Sequence, residues 1–233
     1  NNMYGNLKIE KNTISSLNIK SKFFNGEELV LQKKTNNRNE QITNMYTKYP
    51  KPLLNRYKFI KGFEGGILDF QSIKKNDISQ SVLIIDNFKV KKVPVLAKIL
   101  TLASLQGIAD LLTGEGIRFT DFEMKFKSEK NKMLINEVYA IGPAISLMLD
   151  GYVEKDKFTS LNGTLVPATT INRTISSIPL LGEILVGKKV GEGVFGVSFK
   201  VKGSPKNLKT TVNPVKTLTP RFITRTLEKI KKN

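Results

Sequence analysis

The chain has 233 residues, 39% of them hydrophobic, with 38 Lys or Arg against 20 Asp or Glu and a formal net charge of +18. That length and apolar content fit a folded chain with a sizeable core, as one domain or two, and exclude a disordered one. There is no cysteine and no histidine. Their absence removes disulfide frameworks, thiolate nucleophiles, Ser-His-Asp triads, most zinc sites and the usual neutral-pH general base. The expectation is therefore no enzyme, no metal and no cofactor.

In chain order, residues 3–34 alternate as strands: Leu7 and Ile9, then Leu17, Ile19 and Phe23, then Leu29 and Leu31. Asn25-Gly26 between two such runs predicts a hairpin. Residues 35–56 are polar, with Pro50 and Pro52, and read as a loop or a short helix. Strands are predicted at 57–62, 66–73 and 81–90.

Residues 93–119 form the most apolar run. Lys98, Gln106 and Asp110, with Pro94 and Gly107, argue against a transmembrane span, because each central charge costs about 2.5–3.5 kcal/mol in a bilayer. At about 100° per residue, Val95, Leu96, Ile99, Leu100, Leu102 and Ala103 share one side. Leu105, Ile108, Ala109 and Leu112 fall on the opposite side. The stripe turns by about half a revolution near Ser104, which predicts two short amphipathic helices within 94–112 and a break between them. Gly114 is expected to end the second.

Further strands are predicted at 117–127, 133–141, 144–154 and 158–166, the last with a bulge at Asn162-Gly163. A second helical stretch is predicted at 170–186, interrupted by Pro179 and followed by a strand at 193–203. Helix pair, Gly-Glu-Gly and alternating strand thus occur twice, at 114–116 and 191–193. The last helix, 220–232, sets Ile223, Leu227 and Ile230 opposite Arg221, Arg225, Lys229 and Lys232. Such a basic amphipathic helix suits an anionic membrane interface or an acidic partner, or else covers a sheet edge with a solvated basic face. Residues 200–233 hold ten cations against one anion, Glu228. No signal peptide is found, and the chain is expected to be a C-terminal fragment with targeting information upstream.

Some motifs carry little. Gly191-Glu192-Gly193-Val194-Phe195-Gly196-Val197 matches a glycine-rich nucleotide loop, but a kinase needs a catalytic His-Arg-Asp, and a dinucleotide fingerprint opens a helix rather than a strand. Asp121 with Glu123, and Asp150 with Glu154, read as solvated strand faces. The aromatics fall on the apolar phase of strands, so nucleic acid is not expected as a partner.

The order of elements resembles the AsmA-like family, and more specifically the C-terminal domain of YhdP/TamB-type envelope proteins. The resemblance runs through Gly65-Gly66-Ile67-Leu68, Ile85-Asp86-Asn87-Phe88-Lys89-Val90, Leu102-Ala103-Ser104-Leu105-Gln106-Gly107 and Leu112-Thr113-Gly114-Glu115-Gly116-Ile117-Arg118-Phe119. It continues through Ile141-Gly142-Pro143-Ala144, Leu161-Asn162-Gly163-Thr164-Leu165-Val166-Pro167-Ala168, Ile178-Pro179-Leu180-Leu181-Gly182 and Val212-Asn213-Pro214.

The resemblance implies a mainly β fold with α: a long, curved, taco-like antiparallel sheet with an apolar groove, capped or covered by short amphipathic helices. Residues 1–60 would be the strand-rich end of an upstream β-groove and 61–233 the AsmA-like C-terminal domain. It implies a periplasmic, bridge-like carrier of phospholipid acyl chains between inner and outer membranes, anchored upstream in the inner membrane. Groove candidates are Ile145, Leu147, Leu149, Phe195, Val197, Phe199 and Val201. Candidates for docking on an anionic membrane surface are Leu96, Leu100, Arg221, Ile223, Arg225, Leu227, Lys229 and Ile230. The alternative is a non-catalytic assembly domain that binds envelope proteins or a membrane surface and carries no lipid. The helices at 94–112 are either a pair packed on the sheet or a plug or membrane-facing cap at the end of a lipid-carrying sheet.

Overall fold

Turn chemistry decides where this chain reverses. In the computed structural model, which describes residues 2–10, 13–56, 61–167 and 196–215, left-handed residues sit in successive tight turns. Gly26 (φ 85°) closes the Asn25-Gly26 hairpin, and Asn39, Asn76, Lys130 and Asp156 (φ 57°, 53°, 50° and 58°) close four others. Asn and Asp tolerate this region better than most residues.

The strands so joined are β1 (Asn2–Glu10), β2 (Thr13–Lys22), β3 (Glu28–Thr35), β4 (Gln41–Thr47), β5 (Lys61–Lys75), β6 (Ile78–Lys91), β7 (Ile117–Glu129), β8 (Lys132–Ile141), β9 (Ile145–Glu154), β10 (Phe158–Pro167), β11 (Gly196–Ser204) and β12 (Asn207–Val215). They form one antiparallel sheet, open at both edges, whose spatial order is the sequence order. Among the described residues three short helices interrupt it: α1 (Lys51–Leu54), α2 (Pro94–Leu102) and α3 (Gln106–Thr113). The fold is mainly β. Among the described residues, no helix is long and apolar enough to cross a membrane.

The helical pair breaks where the hydrophobic phase turns over. Pro94 opens α2 at a position that needs no donor. At the other end Ser104 is left-handed (φ 58°). Its N–H donates to the Thr101 carbonyl at 3.0 Å, and the Leu105 N–H donates to the Leu100 carbonyl at 2.9 Å. These two bonds are the Schellman arrangement, which satisfies the last carbonyls of α2 and re-aims the chain into α3. Leu96, Ile99 and Leu100 of α2 and Ala109 and Leu112 of α3 are thereby buried together. α2 packs against α3 and β12, and α3 against β6 and β7.

Beneath the helices, Phe88 stacks on Phe63 (5.3 Å between ring centroids) and on Phe119 (5.5 Å) and meets Phe122 edge-on at 6.1 Å. Ile85 and Phe88 are both buried although an odd number of steps separates them. Asn87 between them is left-handed (φ 52°), and that residue resets the alternation of β6.

Several expectations are corrected. The polar stretch 35–56 contains a full strand, β4, besides the short helix α1. The strand predicted at 66–73 is part of the longer β5, which begins at Lys61 and passes Gly62, Gly65 and Gly66, all at positive φ, with a register shift between Lys61 and Glu64. β12 was not expected. No bulge occurs at Asn162-Gly163: β10 keeps unbroken register with both neighbours. Gly163 is required there for a different reason, since a Cβ would overlap the tip of the Phe199 ring and come within 2.6 Å of the Met148 carbonyl. Gly114 caps α3 without entering the left-handed region; Gly116 (φ 95°) is the residue that does so, and a Cβ on it would meet Lys91 and the Val90 carbonyl. The helices expected at 170–186 and 220–232 lie outside the described residues.

Candidate functional site: an apolar face across twelve strands

Directly opposed residues in an antiparallel pair share a face, so the register can be followed from strand to strand. One row runs Gly5, Ile19, Leu31, Met45, Phe70, Leu83, Met124, Val138, Leu149, Gly163, Phe199 and Val212, each paired with the next. Every member is apolar or glycine. The row on one side of it, Met3 through Leu68, Ile85, Leu147 and Val197 to Pro214, holds no charge. The row on the other side, Leu7 through Phe126, Ile135 and Val201 to Thr210, holds Lys33 as its single charged residue. At about 4.8 Å per strand this face is roughly 50 Å long, against about 30 Å for the hydrocarbon core of a bilayer.

The other face has different chemistry. Its central row runs Asn6, Asn18, Gln32, Asn44, Gln71, Val82, Lys125 and Glu137. The register shifts in β5, β7 and β8 keep the two faces apart: where β8 gains a residue between Ile135 and Val138, both of these stay on the apolar face.

Cover over the apolar face is uneven. In β2 to β7 the members of the middle row are all half-buried. In β8 and β11 they are enclosed, with Val138 at 7% and Phe199 at 3% exposure. At the β1 end, Met3 and Leu7 are 73% and 54% exposed. Phe199 is enclosed in one cluster with Leu96, Ile99, Leu100 and Leu112 of the helical pair and with Leu68, Ile85, Leu165 and Val201, and Met45, Phe70 and Leu83 pack at the margin of that cluster. Each large side chain so buried is worth about 1.5–3 kcal/mol relative to exposure.

The sequence-predicted groove residues Ile145, Leu147, Leu149, Val197, Phe199 and Val201 therefore do share a face. Ile145, Val197, Phe199 and Val201 are buried core, and Leu147 and Leu149 are half-buried. Phe195 lies outside the described residues. Of the docking residues, Leu96 and Leu100 are turned into the core, Leu100 completely; Lys98 and Leu102 are the exposed side of α2. Arg221, Ile223, Arg225, Leu227, Lys229 and Ile230 lie outside the described residues. Sequence reasoning missed Met45, Phe70, Leu83, Met124 and Val138 as members of the same face. Their alternation is visible in the sequence, but alignment across strands needs the register.

Charged groups pair away from this face. Glu64 bridges Lys89 and Lys91, each at 3.2 Å, and hydrogen bonds from Lys89 and then Lys91 hold its carboxyl below the usual range. Glu123 pairs with Lys125 at 2.7 Å, and Asp121 accepts from the Thr120 hydroxyl at 2.9 Å. Among the described residues no group of three or more acidic side chains could hold a metal ion. No protein-family model, no curated protein and no solved structure matches the chain.

Proposed function

We propose that this chain is part of a bridge-like lipid carrier of the AsmA-like kind, and that its apolar face holds phospholipid acyl chains in transit between inner and outer membranes. The observation that carries the reading is the middle row, uncharged over twelve strands and only partly covered from β2 to β7. A face that served only as a core would be enclosed along its length, because apolar area left partly exposed forgoes stabilisation of about 25 cal/mol per Å². Large uncovered apolar patches mark sites for partners, ligands or membranes. The sheet would curl into a groove: α2, which follows β6, also touches β12, so the C-terminal strands would close round the helices while the N-terminal strands stay open to lipid. No chemical step is involved.

Native mass spectrometry of the protein purified from membrane-containing cells tests this directly. Adducts of phospholipid mass, lost on Leu31→Asp or Phe70→Asp, are expected; protein free of lipid even with excess phospholipid present would count against the proposal. A second reading, an assembly domain that carries no lipid, is favoured by the enclosure of Ile145, Val197, Phe199 and Val201. It predicts that lipid-free spectrum.

A further inference from the structure

The polar face holds a feature that lipid carriage leaves unused. Asn6, Asn18, Gln32, Asn44 and Gln71 stand directly opposite one another on five successive strands. Side-chain amides aligned in this way usually bond to one another along a sheet. Here no hydrogen bond links them among the described residues: Gln71 donates to Asp69 at 3.5 Å, and Asn18 Oδ1 is buried with no partner. The row ends in an open concavity of about 540 Å³. Asn44, Gln71, Gln80 and Asn136 reach it from β4, β5, β6 and β8, beside Ile42, Ile73 and Val82. That volume falls in the range of ligand sites, about 300–1,000 Å³.

A carboxamide presents two donors and an acceptor in one plane, which matches adjacent hydroxyl groups on a sugar ring. The paired Ile42 and Ile73 offer an apolar surface to the ring's C–H groups. Lys125 and Lys127 also line the concavity; each pairs with an acid of its own strand, Lys125 with Glu123 at 2.7 Å and Lys127 with Glu129 at 3.9 Å, which offsets their charge and leaves the amides as the groups that read hydroxyls.

We propose that this face binds a linear, uncharged glycan strand laid across β4 to β8, with the amides of Asn44, Gln71, Gln80 and Asn136 reading its hydroxyl groups. The row Asn6 to Gln32 continues the track over the neighbouring strands. The site is independent of lipid carriage, since it uses the opposite side of the sheet.

The test follows side-chain amide signals of the whole chain by NMR during titration with cellotetraose, tetra-N-acetylchitotetraose and tetragalacturonate. Shifts at Asn44, Gln71, Gln80 and Asn136 with either uncharged tetramer are expected, together with about tenfold weaker binding in Asn44→Leu/Gln71→Leu. A second variant, Asn44→Asp/Gln71→Glu, keeps shape and solubility while removing donors, and the same weakening is expected. Absence of shifts at the solubility limit of both uncharged probes would overturn the assignment. So would binding of tetragalacturonate alone with loss in high salt, or binding unaffected by both variants.

Discussion

Strands β2–β4 and β8–β11 present one face in one continuous register, with side chains of similar kind, yet they meet different surroundings. Leu31 and Met45 are half-buried, as is Leu149 of β9, whereas Val138 of β8 and Phe199 of β11 in the same row are enclosed. For Phe199 the difference comes from the helical residues between β6 and β7, nine in α2 and eight in α3. They fold as α2 and α3 and lay Leu100 and Leu112, both fully buried, onto the C-terminal part of the sheet. The comparison teaches that sheet chemistry alone does not decide whether a face is core or surface. An inserted element with a matching stripe decides it.

The largest expected effect sets the two regions against each other. Phe199→Asp buries an unpaired carboxylate and is expected to destabilise by about 4 kcal/mol or more, while Leu31→Asp, in the open part of the row, is expected to change stability by about 1 kcal/mol. Urea denaturation of the two variants measures both, and equal losses would dissolve the distinction. Next, Leu100→Ala is expected to cost about 2–5 kcal/mol, against about 0.5 kcal/mol for Leu102→Ala one turn face away, where the side chain is 46% exposed. Gly163→Ala is expected to cost about 1–3 kcal/mol, because the new methyl group would overlap the Phe199 ring and the Met148 carbonyl; thermal unfolding of Gly163→Ala beside Phe199→Leu/Gly163→Ala separates the share of the ring from that of the backbone.

Smaller effects probe how the helical lid is set. Ser104→Gly relieves a left-handed serine and is expected to raise stability by about 0.5 kcal/mol, after the greater chain entropy of glycine is allowed for. Ser104→Val is expected to lower it. The smallest effect belongs to Glu64. Its carboxyl titrates below the ordinary value of 4.5 in the folded chain, so its contribution is present above that value and is lost as pH falls through the lowered one. Glu64→Gln should flatten the stability profile only on that acid side, and added salt should shrink the difference, since the Lys89 and Lys91 pairs lie at the surface. A profile altered near neutrality would contradict this.

Much of the architecture was legible because its signals are local. The phase change at Ser104 needs only helical periodicity, and the break falls on that residue. Asn25-Gly26 needs only turn chemistry. The common face of Ile145, Leu147, Leu149, Val197, Phe199 and Val201 follows from alternation once the strands pair. β4 was not legible because Ile42 and Tyr46 stand on one face and Met45 on the other, so its apolar residues cancel in phase. In β12, Leu208 and Val212 alternate, but Lys209 and Pro214 hide the strand; proline is tolerated there because β12 is the edge strand among the described residues. The burial of Leu96 and Leu100 was hidden for another reason. An amphipathic stripe shows that a face seeks apolar company, and not whether that company is a sheet or a membrane.

The central claim is that the open part of the apolar face touches acyl chains. The most direct measurement places a photoreactive amino acid at Leu31, Met45 or Phe70, and at their polar-face neighbours Gln32, Asn44 or Gln71, and looks for crosslinked phospholipid after irradiation in cells. The account predicts lipid adducts from the first three positions and none from the other three. Adducts from neither set, or equal adducts from both, would contradict it.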